Sequence, residues 1–459
     1  MSILLGGLLL LWPALLNHYP LVFSDTGAFL AQTIEGAAIW DKSLAYGPAL
    51  HLLHWCFSLW LPALAQVLLV SWLVWLVERT CLSPARTRTA ALRHLAICAG
   101  LAAGTAAPWF ASQLMPDILA PALVLALALL GFAAARLSHR EVRALQAVAT
   151  LAIAAHLSHL PLAAALLLLV FALRRRWRPV WRCAAPLLLA TALLAGTNLA
   201  SQGRFAVSPY GAVFALARLV ADGPAARTIA ARCPDAGWHL CRWAGRLPAD
   251  SDTFLWSGDG PVWAPRLDDA RPGGPISLAP EAGAILAETL WREPLGVLRA
   301  AAGNAWAQLG RARVGDTLGP ENLAGSVGKQ LALGFPAAEQ ARFAAGLQAR
   351  GLLPAVAAPF LALHPLLLAL GAAAALLGWR RAARAGDAPM LGLVLAVLVG
   401  VTVNAAVTGA LSGPHDRYQA RIAWLLPLAG LLALGATAAR PVAIATTSPR
   451  DEIAAAPDD

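Results

Sequence analysis

The chain has 459 residues, is 59% hydrophobic and is only 13% charged, which is too apolar for a soluble domain. We therefore predict a polytopic membrane protein. The formal net charge of +10 comes almost wholly from arginine. Because the arginines cluster in short loops rather than on one basic face with interleaved aromatic residues, the charge argues against a nucleic-acid partner.

The apolar runs predict an all-α fold with about ten transmembrane helices, since about 20 apolar residues are needed to span a bilayer. The first run is interpreted as a retained helix, because no basic segment or cleavage site marks it as a signal peptide. Between 145 and 173, a polar stretch with Pro161 favours two short helices in a hairpin over one long helix. The remaining predicted helices lie near 3–20, 61–77, 95–111, 117–135, 184–200, 355–378, 387–410 and 420–438.

Arginine in short loops predicts the orientation, because basic loops stay on the cytoplasmic side. The basic loops contain Arg79–Arg93, Arg136–Arg143, Arg174–Arg182 and Arg380–Arg384. The intervening short loops carry only Lys42 as a basic residue, which places Asp25 and Asp117 on the extracytoplasmic face and both termini in the cytoplasm. Frequent alanine, and arginine in place of lysine, are typical of a bacterium with a GC-rich genome, so we expect the inner membrane.

This pattern divides the chain into four parts. A transmembrane module, 1–200, precedes an extracytoplasmic loop domain, 201–354, which we expect to be of mixed structure with an amphipathic helix from Pro280 to Arg311. Transmembrane helices follow at 355–440, and the small, polar and acidic tail 441–459 is predicted to be disordered.

Cys233 and Cys241 are the only pair of the six cysteines that falls in the extracytoplasmic loop. An oxidising compartment favours a disulfide between them. Two free thiols are the alternative, and a metal site would need further ligands that the spacing does not supply. The remaining cysteines are expected to be unpaired: Cys56, Cys81, Cys98 and Cys183.

Asp25 follows the first predicted helix and Asp117 begins a later one. A carboxylate beside a hydrophobic bundle is costly to desolvate, which invites a functional interpretation. Each acid has a simpler explanation, however. Asp25 could be a solvated loop or capping residue, and Asp117 could cap the helix that it precedes.

The order of elements is more specific than either acid alone. An acidic loop after the first helix is followed by an interfacial segment opening at Tyr46-Gly47-Pro48, and Pro116-Asp117 then leads into a helix. Near the end of the chain, His415 to Arg421 precedes the last predicted helix. Over about the first 200 residues and again in these last helices, the chain resembles the C-type (GT-C) integral membrane glycosyltransferases, which use polyprenyl-phosphate sugars.

The resemblance implies a role for each acid. Asp25 would be the first-loop acid, acting as catalytic base or metal ligand, and Asp117 would be the second-loop acid. A divalent cation, Mg²⁺ or Mn²⁺, is then expected at these two residues. The first loop here has one acid where many relatives have two, which puts metal dependence in doubt.

Several further side chains are predicted to bind the donor or acceptor. Arg417 and Arg421 would stabilise the departing lipid phosphate, with an ordinary interfacial arginine pair as the alternative. His156 and His159 could contact phosphate or an ion, although a polar turn that closes the hairpin is the competing interpretation. Tyr46 and His415 complete the set of expected substrate-binding residues.

The resulting hypothesis is an inverting transferase that moves a sugar from a lipid-phosphate carrier to an extracytoplasmic lipid, polysaccharide or protein. Membrane lipids, the polyprenyl-phosphate sugar donor and this acceptor are the expected partners. One alternative is a lipid or small-solute transporter or flippase, although such proteins place ionisable residues near the bilayer midplane. A second alternative is a non-catalytic subunit of an envelope-assembly complex.

Overall fold

The computed structural model describes residues 1–265 and 273–438. The predicted tail, 441–459, lies outside the described residues. Within them the protein is all-helical, with 75% helix and no strand, and a single isolated bridge joins Leu21 to Gln113. The mixed structure expected for 201–354 is not seen, because its described residues form only helices and loops.

The first 202 residues form a series of helices of unequal length. Pro116–Arg136 is one continuous helical run of 3-10, α and π segments. The other helices are Ser2–Leu10, Trp12–Leu16, Ser24–Ile34, Tyr46–His54, Trp60–Cys81, Thr87–Gly104, Ala107–Ser112, His139–Ala155, His159–Arg174 and Trp177–Gln202.

The remaining helices are shorter in the middle of the chain and long again near its end. The middle part contains Gly211–Ala221, Pro224–Arg232, His239–Trp243, Ser251–Trp256, Pro275–Arg292, Pro294–Leu309, Ala324–Gly328, Lys329–Gly334 and Ala337–Ala345. The last part contains Leu353–Leu361, His364–Arg384, Ala388–Ser412, Asp416–Ala423 and Leu425–Ala438.

Among the described residues, six helical segments are long and apolar enough to cross a membrane. They are Trp60–Cys81, Pro116–Arg136, Trp177–Gln202, His364–Arg384, Ala388–Ser412 and Asp416–Ala436. These segments correspond to five predicted runs and to the second part of the run at 355–378. The 145–173 interval is divided at residues 156–158, as its polar stretch indicates.

Prolines and charges explain why other predicted helices are interrupted. The run 3–20 stops being helical at Leu11, because Pro13 has no N–H to bond to the carbonyl of Leu9. The run 355–378 breaks before His364, where Pro365 has the same effect. Thr87–Gly104 carries Arg88 and Arg93, so its apolar part is short. The predicted amphipathic helix, 280–311, begins earlier, at Pro275, and is divided at Glu293, just before Pro294.

Asp25 lies in the first turn of the helix Ser24–Ile34 and not in an irregular loop. Thr26 explains this start, because its hydroxyl accepts a hydrogen bond from the Phe23 N–H at 2.9 Å. The same hydroxyl donates to the Leu114 carbonyl at 2.9 Å. This pair of bonds fixes the Asp25 turn against the segment that leads to Asp117.

Residues from the middle of the chain belong to different hydrophobic cores. One core includes Val213, Ile229, Phe254 and Ile285 and belongs to the 210–286 region. Leu323, Val327, Leu331 and Phe343 instead join the large core of the long helices. Cys233 and Cys241 form a disulfide, with Cα atoms 5.3 Å apart, and Cys233 packs against the smaller core. The other cysteines are free, as expected.

Candidate functional site

The predicted site residues come from distant parts of the chain and meet at the ends of several helices. Asp25 lies in the first turn of Ser24–Ile34, Asp117 lies in the first turn of the run Pro116–Arg136, and the two arginines lie on Asp416–Ala423. The 156–158 turn contacts Arg421 through Ser158. The structure therefore gathers residues that are up to 396 positions apart, from Asp25 to Arg421, into one region.

Asp25 is held between two cations. Its Oδ1 lies 3.2 Å from Lys42 Nζ, and its Oδ2 lies 3.9 Å from Arg417 Nη2. Lys42 also contacts Asp41 Oδ2 at 2.6 Å. The Asp25 side chain is 29% exposed, while those of Lys42 and Arg417 are each 17% exposed. We call Asp25, Lys42 and Arg417 the Asp25 cluster.

Both members of the Asp25–Lys42 pair are charged at neutral pH. Burial alone would raise the pKa of Asp25, but Lys42 and Arg417 outweigh it and hold that pKa below its ordinary value. Burial alone would lower the pKa of Lys42, but Asp25 and Asp41 outweigh it and raise that pKa. Asp25 is therefore an ionised carboxylate, available as a proton acceptor.

Arg417 is incompletely bonded. Its guanidinium carbon lies 4.7 Å from the centre of the Phe23 ring and 5.0 Å from that of Tyr418, both within the range of cation–π attraction. Its Nη1 is buried and has no hydrogen-bond partner. Its backbone N–H donates to Asp316 Oδ2 at 2.9 Å, which fixes the start of the helix. The side chain therefore has a free donor beside Asp25.

Asp117 has a different environment. It is 3% exposed, and its Oδ1 lies 3.2 Å from Arg421 Nη1. Asp117 lies in the first turn of its helix and also accepts a hydrogen bond from Arg421, so helix capping is not its whole explanation. Arg421 is fully buried, and its Nη2 donates to Ser158 Oγ at 3.2 Å and to Asn404 Oδ1 at 3.1 Å. We call these four residues the Asp117 cluster.

Tyr418 connects the two clusters. Its ring centre lies 5.0 Å from the guanidinium carbon of Arg417 and 5.5 Å from that of Arg421. Arg417 also interacts electrostatically with both Asp25 and Asp117. The two ion pairs are therefore neighbours: their arginines lie one turn apart on the same helix, and both contact Tyr418.

Tyr46 is buried and is linked by hydrogen bonds to the segment that leads to Asp117. Its hydroxyl donates to Gln66 Oε1 at 2.6 Å, and Gln66 Nε2 donates to the carbonyls of Gln113 at 2.7 Å and Ala111 at 3.2 Å. Burial, together with Asp117, raises the pKa of Tyr46, so its phenol stays neutral. Tyr46 and Gln66 together fix the position of the segment before Asp117.

The histidines of the 156–159 turn differ in depth. His156 Nδ1 accepts from the Ser158 hydroxyl at 2.8 Å, which links it to Arg421. Burial and Arg421 lower the pKa of His156, so its ring is neutral. His159 is fully buried, and its Nδ1 lies 2.6 Å from the Ala152 carbonyl. His159 thus lies behind the site, while His156 borders it.

His415 contributes through both its backbone and its ring. Its N–H donates to Gln308 Oε1 at 2.9 Å, and its carbonyl accepts from Gln308 Nε2 at 2.8 Å. The ring meets Tyr418 edge to face, with centres 5.4 Å apart. These bonds attach the helix Pro294–Leu309 to the segment that carries Arg417.

Lys42, Ser158 and Asn404 belong to the site, but sequence reasoning did not select them. Lys42 could have been selected from the sequence, because Lys42 and Lys329 are the only two lysines among the 35 Lys and Arg residues. Asn404 could also have been selected, since it lies within an apolar helix, where a polar side chain needs a partner. Ser158 had no such signal.

Asp25 and Asp117 do not fit a divalent cation as they are arranged here. Mg²⁺ and Mn²⁺ require several oxygen ligands that converge on one point. Asp25 is instead neutralised by Lys42 and Arg417, and Asp117 by Arg421.

No family model, curated protein or solved structure matches this chain.

Proposed function

We propose that this protein is a membrane glycosyltransferase of the GT-C type, which moves a sugar from a lipid-phosphate carrier to an envelope acceptor. The Asp25 cluster is the observation that carries the proposal. It combines an ionised carboxylate with two cations, one of which has a free donor, at the end of an apolar helical bundle. These are the groups that deprotonation of an acceptor and departure of a phosphate require.

In the proposed reaction, Asp25 acts as the base, and the two cations of the Asp25 cluster stabilise the leaving phosphate. Asp25 accepts the proton of the acceptor hydroxyl while that oxygen forms a bond to the anomeric carbon. The bond between this carbon and the donor phosphate oxygen breaks, and the electron pair leaves with the phosphate. Arg417 and Lys42 stabilise the resulting charge, and attack opposite the leaving group inverts the configuration.

Donor binding would also make Asp25 a stronger base. In the free protein, Lys42 and Arg417 hold the pKa of Asp25 below its ordinary value. A phosphate that takes hydrogen bonds from the same two cations weakens their effect on the carboxylate. The pKa of Asp25 then rises when the donor is present, which couples proton acceptance to donor binding.

The Asp117 cluster has a positioning role in this proposal. Asp117 and Arg421 were expected to support catalysis and to bind phosphate, but they are buried and paired with each other. Arg421 lies four residues after Arg417 on one helix, so the buried pair fixes that helix and the direction of Arg417. His156 and Ser158 extend this support through their bond to Arg421.

The proposed membrane arrangement follows from the distribution of arginine. The chain would cross the membrane about ten times, counting short and broken helices. With the arginine-rich loops in the cytoplasm, the Asp25 cluster would lie on the outer side of a bacterial inner membrane and both termini would be cytoplasmic. The donor's lipid tail would lie among the apolar helices. The region 201–354 would form a loop domain on the same outer side and select the acceptor.

The test is Asp25→Asn, which keeps the shape of the side chain but removes the proton acceptor. Cells that carry only this variant should lose about 10²- to 10⁴-fold in transfer rate, which is the usual contribution of a general base. The readouts are envelope glycans and accumulated lipid-linked sugars, with membrane levels of the protein measured in parallel. Asp41→Asn is the matched control, because Asp41 contacts Lys42 but makes no ion pair with Arg417.

Normal glycans without accumulation of the carrier in Asp25→Asn would overturn the enzymatic proposal. If purified protein in proteoliposomes then moved a fluorescent lipid across the bilayer, a flippase would replace the transferase. If both activities were absent while an envelope complex failed to assemble, the non-catalytic subunit would be the better description.

A further inference from the structure

A second group of reactive side chains lies outside the candidate site, where the helix Tyr46–His54 ends. It consists of His51, His54 and Cys56, whose possible ligand atoms all lie within 4.8 Å of one another. The histidines are three positions apart on one helix and therefore share a face. Cys56 reaches that face because Trp55 and Cys56 have φ angles of 46° and 54°, which reverse the chain at once.

Both imidazoles carry a buried nitrogen that lacks a partner. The His54 side chain is fully buried, and its Nε2 makes no hydrogen bond. His51 Nδ1 is also buried and unpartnered. The large majority of buried side-chain nitrogens in proteins are hydrogen-bonded, so two such atoms beside a thiol require an explanation.

We propose that His51, His54 and Cys56 bind a transition-metal ion of the zinc or copper(I) class. Imidazole and thiolate are the ligands that these ions prefer, whereas Mg²⁺ and Ca²⁺ prefer oxygen. The ion takes one ring nitrogen from each histidine and the sulfur of Cys56. The cysteine ligates as a thiolate, so its S–H proton is released to solvent on binding.

Binding requires one local change. In the metal-free form His54 Nδ1 accepts from the Cys56 backbone N–H at 2.9 Å, so a neutral His54 ring carries its proton on Nε2. Coordination through either nitrogen ends that bond, because Nδ1 must give its lone pair to the metal or take the proton. The change is confined to the turn, and Cys56 is partly exposed there.

The turn is attached to the rest of the protein on both sides. The His54 ring packs against Phe335 with centres 5.2 Å apart. The Leu59 N–H and the Ser58 hydroxyl donate to Glu339 Oε1 at 2.8 Å and 3.2 Å. A bound ion would fasten the end of Tyr46–His54 to this contact, which makes the site structural and independent of the proposed transferase chemistry.

The test uses the full chain, purified in detergent with a histidine-free affinity tag and titrated with cobalt(II) chloride. We expect an absorption band from thiolate-to-cobalt charge transfer, at one ion per chain, that zinc chloride removes by competition. Cys56→Ser and His51→Gln should abolish the band and weaken zinc binding by more than about tenfold. Cys183→Ser is the matched control, because Cys183 is a buried free thiol outside the cluster.

The outcomes separate clearly. Loss of the band in Cys56→Ser, with the band retained in Cys183→Ser, supports the site. No band in the wild-type protein, or an equal band in wild type and Cys56→Ser, overturns it. Circular dichroism and size-exclusion profiles of each variant verify that the metal-free fold is unchanged, so a loss of binding is not a loss of structure.

Discussion

Two aspartate–arginine pairs at the same end of the molecule have opposite character. Asp25 and Asp117 each lie in the first turn of a helix, and each contacts an arginine of Asp416–Ala423. The contact is 3.9 Å for Asp25, whose side chain is 29% exposed, and 3.2 Å for Asp117, whose side chain is 4% exposed. Identical residue types thus form a loose, accessible pair and a tight, buried one.

The two arginines differ in how the protein uses their terminal nitrogens. Arg421 uses its two terminal nitrogens on Asp117, Ser158 and Asn404, all within the protein. Arg417 retains a terminal nitrogen, Nη1, without a partner, whereas the unpartnered nitrogen of Arg421 is Nε. Because a buried charge needs its partners to offset desolvation, the Asp117 pair cannot release Arg421 to a ligand. The Asp25 cluster can release its cations at lower cost.

The largest effect on stability should come from breaking the buried pair. Arg421→Ala leaves Asp117 as an uncompensated buried charge, which costs about 3–5 kcal/mol of unfolding free energy. The measurement is unfolding of the purified protein in mixed detergent and SDS micelles. Arg417→Ala is the matched control on the same helix and should lose far less, because its ion pair with Asp25 is partly exposed.

A double substitution makes this comparison sharper. Asp117→Leu combined with Arg421→Met removes both charges, so it should recover most of the stability that Arg421→Ala loses. An equal loss in the double variant would mean that Ser158 and Asn404, rather than Asp117, hold Arg421 in place. The buried ion pair would then not be the basis of the contrast between the two clusters.

Ligand binding should show the opposite order. Arg417→Ala removes the unpartnered Nη1 and should weaken binding of a polyprenyl phosphate by about 1.5–3 kcal/mol, which is the range for hydrogen bonds to charged groups. Binding of decaprenyl phosphate to the protein in nanodiscs measures this. Unchanged affinity, with the fold intact, would remove Arg417 from the proposed phosphate site.

The resemblance and the order of elements were enough to select most of this region from the sequence. Asp25, Asp117, Arg417 and Arg421 all lie in it. Their roles could not be separated, because the two arginines are four residues apart on one helix and have similar sequence surroundings. Only the packing of the Asn404 helix and the 156–158 turn against Arg421 distinguishes them.

Helices that depend on a long apolar run could be predicted from the sequence. Helices whose start depends on a single side-chain contact could not. Long uninterrupted apolar runs, such as the one around 388–412, are helices as expected. The helix Ser24–Ile34 was expected to be a loop, because its start depends on the Thr26 hydroxyl and a distant carbonyl at Leu114. Lys42 was overlooked because its pairing with Asp25 is a tertiary contact across 17 positions.

Lys42→Met should shift the pH profile of the transfer rate more than it lowers the maximal rate. Lys42 favours the ionised form of Asp25, so its removal raises the pKa of that carboxyl. The acid limb of the profile of kcat/KM against pH should therefore move to higher pH. Initial rates with a lipid-phosphate sugar at a series of pH values measure the shift, and an unmoved acid limb would mean that a group other than Asp25 limits the rate.

The smallest effect should be the contribution of Asp25 to stability. The pKa of Asp25 in the folded protein lies below its ordinary value of 3.8, so the stabilisation is present at neutral pH and is lost as the pH falls through the folded pKa. Because the pair is partly exposed, its contribution should be below about 1 kcal/mol. The measurement is the unfolding free energy of wild type minus that of Asp25→Asn, which should be small and positive near neutral pH and vanish in acid. A difference as large as that of the Asp117 pair would mean that Asp25 is structural too, and the contrast between the two clusters would fail.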